Sequence, residues 1–164
     1  MPGSWLEQVG TTIQSEFSDV PDATQLTRIT IRLTVAALLG GVLGWDREQK
    51  GKSAGLRTHM LVSLGAALYV LVPQQAGVTD SDLTRIIQGL VAGIGFLGAG
   101  AILKKDDQVE VFGLTTAAGI WMTAAIGLAA GMGREATAVL STGLALVILK
   151  SVPRIASVFV KKDA

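Results

Sequence analysis

The sequence contains no cysteine, which excludes disulfides, iron–sulfur clusters and thiolate zinc sites. Histidine occurs once, at position 59, so no second imidazole is at hand to share a metal. Charged residues make up only 16% of the chain and the net charge is +1. That balance lacks the basic footprint nucleic-acid binding requires, so no nucleic-acid partner is expected. Charge is scarcer still in places. No Asp, Glu, Lys or Arg occurs in residues 33–45, 58–79, 86–103, 111–133 or 136–149, together 90 of 164 residues. The longer stretches match the roughly 20 apolar residues that carry a helix across a bilayer. A soluble domain would need charges on the outward faces of such helices. The N-terminus lacks the basic start and continuous apolar core of a secretory signal.

Glycine, by contrast, is abundant at 20 residues, as expected where small residues let membrane helices approach closely. The expected fold is therefore all-α, a polytopic bundle of five transmembrane helices. Two uncharged stretches are too short as they stand. The first reaches full length only if it starts near Leu26, taking Arg28 and Arg32 into the membrane; the last runs past Lys150 and ends before Pro153. The spans are expected at about 26–45, 58–78, 86–103, 112–131 and 134–152. Residues 1–25 then form an outer, periplasmic segment and residues 153–164 a basic cytoplasmic tail. Trp5, Leu6, Val9, Ile13 and Phe17 recur near helical spacing, as in a short interfacial helix. Ten bases fall on one side of these spans and four on the other, which puts the N-terminus outside and the C-terminus in the cytoplasm.

A shift of 58 residues aligns Leu39-Gly40 with Leu97-Gly98, Gly55-Leu56 with Gly113-Leu114, and Thr58 with Thr116. If this is a duplication, spans one-two and three-four are parallel repeats.

The polar residues cluster. Asp46, Arg47 and Glu48, followed by Arg57, Thr58 and His59, lie at the facing ends of the first two spans. Charge-assisted pairs between these acids and arginines are expected there. The cluster reads either as a salt-bridged hairpin or as a site for an anion, a cation or a partner protein. Arg32 lies about 9 Å into the first span, with Asp80 and Asp82 as expected partners; it is a candidate site residue or a snorkelling side chain. Gly40 and Gly44 form one small-residue face, and Gly89, Gly93, Gly95, Gly98 and Gly100 cover the third span, which is therefore expected at the bundle's centre. Thr115 and Thr116 begin the fourth span, as caps or cross-helix donors. No nucleophile–base pair, metal-ligand set or cofactor motif is apparent, so neither an enzyme nor a bound cofactor is expected.

Together these segments resemble the MgtC/SapB family of bacterial inner-membrane proteins. The likeness rests on Gly44-Trp45-Asp46-Arg47-Glu48, Ala54-Gly55-Leu56-Arg57-Thr58-His59, Arg85-Ile86-Ile87-Gln88-Gly89, Gly93 to Gly100, and Gly113-Leu114-Thr115-Thr116-Ala117-Ala118. It covers residues 28–150 and adds Arg85 and Gln88 to the candidate ligand- or partner-binding residues. The resemblance implies a role in magnesium homeostasis and in stress or virulence adaptation, through a membrane partner such as the F-type ATP synthase. A small ion or solute transporter is the alternative. Longer members carry a soluble domain after the fifth helix; this chain, ending about 12 residues after Val152, is expected to resemble the short, SapB-like members. The small-residue faces further suggest a homo-oligomer, with a dimer favoured.

Overall fold

The computed structural model describes residues 4–20, 22–104 and 111–160. It falls into two compact units, Met1–Ile31 and Arg32–Ala164, with α2 running through the boundary between them. In the first, α1 spans Trp5–Glu16. Ser4 accepts from the Glu7 N–H while Glu7 reaches back to the Ser4 N–H at 2.8 Å, a reciprocal cap that fixes the helix start. Trp5, Leu6, Ile13 and Phe17 are all exposed.

The second unit holds the remaining helices: α2 (Ala23–Gln49, from Arg32 onward), α3 (Leu56–Gln75), α4 (Asp80–Gly100), α5 (Leu114–Gly131) and α6 (Glu135–Val160). Five helices are thus long and apolar enough to cross a membrane. The boundaries differ from those read from charge alone. α2 extends on to Gln49 and α4 begins at Asp80 rather than at residue 86. Charged residues ended the uncharged stretches but not the helices. Thr79 caps α4 by accepting from the Asp82 N–H. Between α4 and α5 the chain forms an antiparallel ladder, β1 (Leu103–Lys104) against β2 (Val111–Phe112). Within the expected basic tail, Lys161 and Lys162 lie outside the described residues, as does Lys105.

α6 corrects a further expectation, since Pro153 lies inside it. Proline lacks the N–H that would bond the carbonyl four residues back, here that of Leu149. Lys50 Nζ supplies the missing donor, reaching the Leu149 oxygen at 3.2 Å. A lysine from α2 thus satisfies the carbonyl that the proline frees, and the helix passes through.

The central helix is α5, not α4. In the apolar part of α5 44% of residues are buried, against 11% in α4. α5 packs on α3, α4 and α6. Of the five α4 glycines, only Gly98 has a neighbour, Ala117; added methyl groups at Gly89, Gly93, Gly95 and Gly100 would meet open space. A glycine pattern announces a face that permits close approach but not whether the same chain fills it. On α2 the expectation holds. A methyl at Gly40 would lie 2.6 Å from the His59 carbonyl oxygen, and one at Gly44 2.7 Å from the Leu56 Cα. The tightest α3–α5 seam uses Gly127 and Gly131 against Ser63 and Ala67, two glycines not singled out above. The core between these helices is built mainly from small residues, including Ala36, Ala67, Ala130 and Ala138.

Two helix contacts follow the 58-residue offset. Gly40 packs on His59 and Gly98 on Ala117, each member of the second pair lying 58 positions after its counterpart. Both α3 and α5 also begin at a Gly-Leu step. The two starts differ in backbone, with φ −105° at Gly55 and +94° at Gly113. The second contact is also looser, at 3.6 Å.

Candidate functional site

The candidate residues separate to opposite ends of the second unit. At one end Arg32 acts as a clamp. Its Nη1 donates to the Gln74 side-chain oxygen at 3.2 Å and to the Gly131 carbonyl at 3.1 Å. Its Nε lies 4.0 Å from a Glu135 carboxylate oxygen. The guanidinium therefore ties the ends of α3 and α5 to the start of α6, and it is favoured at Gly131 by the negative end of the α5 dipole. Asp80 and Asp82 are not its partners, because Asp82 pairs with Arg85 at 3.6 Å instead. Arg85 is highly exposed and Gln88 is exposed, and neither joins a site.

At the other end, among the described residues, the expected acid–arginine salt bridges do not form. Asp46 pairs with Lys50 at 2.8 Å, one helical turn on. Glu48 accepts from the Leu56 N–H at 2.7 Å, capping α3 where Gly55 has no side chain to do so. The fit is close, since a methyl at Gly55 would strike the same carboxylate oxygen. Arg57 is exposed and Thr58 half-buried.

Arg47 is the unexpected member. It is 3% exposed, and its Nη2 donates to Thr116 Oγ1 at 3.4 Å, a long bond. Its Nε is buried without a partner. Thr116 thus bonds across to another helix, while Thr115 is exposed at the same helix start. His59, 0% exposed, holds its Nδ1 2.9 Å from the Gly55 carbonyl. A carbonyl only accepts, so Nδ1 carries the hydrogen. His59 Nε2 and Ser63 Oγ, one turn further along α3, have no hydrogen-bond partners among the described residues.

Arg47 and Thr116 border a cleft of about 950 Å³. Asp46, Arg47, Lys50 and Lys52 form one wall, the start of α5 from Gly113 to Thr116 a second, and Leu149, Lys150 and Pro153 a third. Among the described residues four bases face one carboxylate, and Lys50 already pairs with that carboxylate. The chemistry on offer is attraction and hydrogen-bond donation toward an anion. The i, i+4 relation of Asp46 to Lys50 is the sequence signal that places Lys50 in this cleft.

Chains of known description share this arrangement of segments. Residues 33–158 match the model of the MgtC family. The chain is 42% identical to protein SrpB of Synechococcus elongatus over 77% of its own length and 76% of that protein's. It is 41% identical to YhiD of Escherichia coli K12 over 73% of its length, and 44% identical to protein MgtC of Brucella abortus over 67%. It spans 58% of YhiD and 45% of that MgtC. No solved structure matches it. With the family model covering most of the chain, and the Asp46–Arg47 and Gly113–Thr116 residues that line the cleft lying inside the match, this membrane protein belongs to the MgtC family.

Proposed function

We propose that the chain is a regulatory component of magnesium and ion homeostasis in the bacterial inner membrane, and that it acts through a membrane partner rather than by catalysis. The observation that carries this reading is the sign of the cleft's charge. Magnesium is held through carboxylates and other oxygen ligands, whereas the described residues of this lining present four bases and one carboxylate already paired with Lys50. Such a surface repels a divalent cation and suits recognition of an acidic group. On this reading the Arg47 end faces the cytoplasm, in keeping with the excess of bases on that side. The family resemblance supports an F-type ATP synthase as the partner and stress or virulence adaptation as the setting. The bare Gly89–Gly93 face of α4 supports a homodimer. The decisive experiment is complementation of a family-deletion strain at low magnesium, together with affinity capture from its native membranes. Rescue by the chain, lost in Arg47→Gln, with one membrane partner recovered, is the expected result. Rescue without any captured partner rejects the reading.

A second reading, a small ion transporter, draws on buried polar side chains along α3 and α5, namely His59, Ser63, Thr116 and Thr123. It also draws on YhiD, which is provisionally named a magnesium transporter. Magnesium flux into liposomes carrying the purified chain, abolished by Ser63→Val, would favour it. Flux equal to that of empty vesicles removes it.

A further inference from the structure

Arg47 is a buried cation without a salt bridge among the described residues, and the neighbouring anion, Asp46, is already held by Lys50. Among the described residues no carboxylate pairs with it, since Asp46 is engaged by Lys50 and Glu48 by the Leu56 N–H. Nine-tenths or more of Arg47 is removed from water and its Nε has no partner, yet it lines an open cleft. A guanidinium so placed is strongly unfavourable until a counter-charge arrives.

The same spot is the start of α5, an 18-residue helix. Gly113 offers no capping side chain, and among the described residues nothing bonds the N–H groups of Leu114, Thr115 or Thr116. The equivalent start of α3 is closed by Glu48. An uncapped helix N-terminus beside a buried arginine is a phosphate-binding arrangement, since both direct N–H donors and positive charge at one point. Lys52 and Lys150, both exposed, line the same cleft and extend the positive field to its mouth.

The source of the phosphate follows from what adjoins it. A second hollow of about 380 Å³ runs along α2 past Leu38, Val42 and Trp45, and it shares Asp46 and Lys150 with the cleft. A molecule anchored at the cleft by a phosphate thus has an apolar path along the membrane-spanning part of α2. We propose that the cleft and this groove together bind an anionic phospholipid. Its phosphate faces Arg47 and the α5 start, and an acyl chain lies against Leu38, Val42 and Trp45. This goes beyond the regulatory reading and does not depend on it, because lipid retention is measured on the purified chain alone.

The test is native mass spectrometry of the full chain released from nanodiscs of phosphatidylcholine, with or without a minority of phosphatidylglycerol. The wild type should retain phosphatidylglycerol in preference to phosphatidylcholine. Lys52→Ala with Lys150→Ala changes only exposed side chains and should weaken that retention about 25-fold, at about fivefold per lysine. Arg47→Gln should abolish it, and Arg85→Ala at the other end should leave it unchanged. If Arg47→Gln does not fold, the lysine pair still decides the matter. A parallel arm titrates inorganic phosphate in neutral detergent. Thermal stabilisation by phosphate without selective lipid retention would overturn the lipid assignment. Equal retention of both lipids, or retention indifferent to the lysine pair, would overturn the site itself.

Discussion

Two adjacent glycines on α2 should respond in opposite ways to the same added methyl group. At Gly40 the new carbon would lie 2.6 Å from the His59 carbonyl oxygen and 2.8 Å from Ser63 Cβ. Ordinary contact begins near 3.4 Å, so the oxygen is 0.8 Å too close (3.4 less 2.6). A backbone carbonyl within a packed helix cannot turn aside, so α2 and α3 must separate by most of that distance. Overpacking of this kind costs about 1–3 kcal/mol. Alanine recovers about 0.5–1 kcal/mol through its lower chain entropy, leaving a net loss of about 0–2.5 kcal/mol, centred on about 1 kcal/mol. For a chain of this size the central value lowers Tm by about 2–4 °C. At Gly41 the nearest atom is Met60 Cγ at 3.3 Å, on a flexible side chain that can yield. Gly41→Ala should therefore match or slightly exceed the wild type. Thermal unfolding of both variants in one detergent, followed by circular dichroism, makes the comparison. Gly40→Ala as stable as Gly41→Ala would refute the close α2–α3 contact.

Three further outcomes follow from the same structure. Arg32→Ala removes charged hydrogen bonds to Gln74 and Gly131 and should cost about 1.5–3 kcal/mol; in the same melting assay, Arg32→Lys should recover only part of this, because an ammonium cannot reproduce the planar fork. Glu48→Ala uncaps α3 and should cost about 0.5–2 kcal/mol, with faster amide exchange at Leu56 by mass spectrometry as its local signature. Lys50→Met removes the donor to the Leu149 carbonyl, an exposed bond, and should cost about 0.5–1.5 kcal/mol. Adding Pro153→Ala, which restores a backbone donor to that carbonyl, should recover part of the loss; a double-mutant cycle with no coupling would contradict the link.

Much of this architecture could be read from where charge is missing. The five helices, the membrane class, and the contact role of Gly40 and Gly44 all follow from uncharged runs and small-residue spacing. Helix ends could not be read so, because Asp80, Asp82 and Arg85 continue α4 rather than ending it. The central helix was also hidden. α4 has the denser glycine pattern, but α5 carries the buried faces, and a one-chain pattern does not reveal which side a neighbour occupies. Partner choice was the least legible. Arg32 meets Gln74 and Glu135 rather than Asp80 and Asp82, and Arg47 meets Thr116 from 69 positions away. Such pairings depend on which helix ends lie side by side, which the packing of Gly127 and Gly131 on α3 determines in part.

The proline in α6 reaches further than its own helix. Because Pro153 leaves the Leu149 carbonyl without a backbone donor, Lys50 is held between that oxygen and Asp46. The ammonium is thereby fixed on one side by a carboxylate of its own helix and on the other by a carbonyl of α6, so one wall of the cleft is joined to α6 through a single side chain. A shift of α6 away from α2 would break the second contact and leave the first, turning a freed ammonium donor toward the cleft.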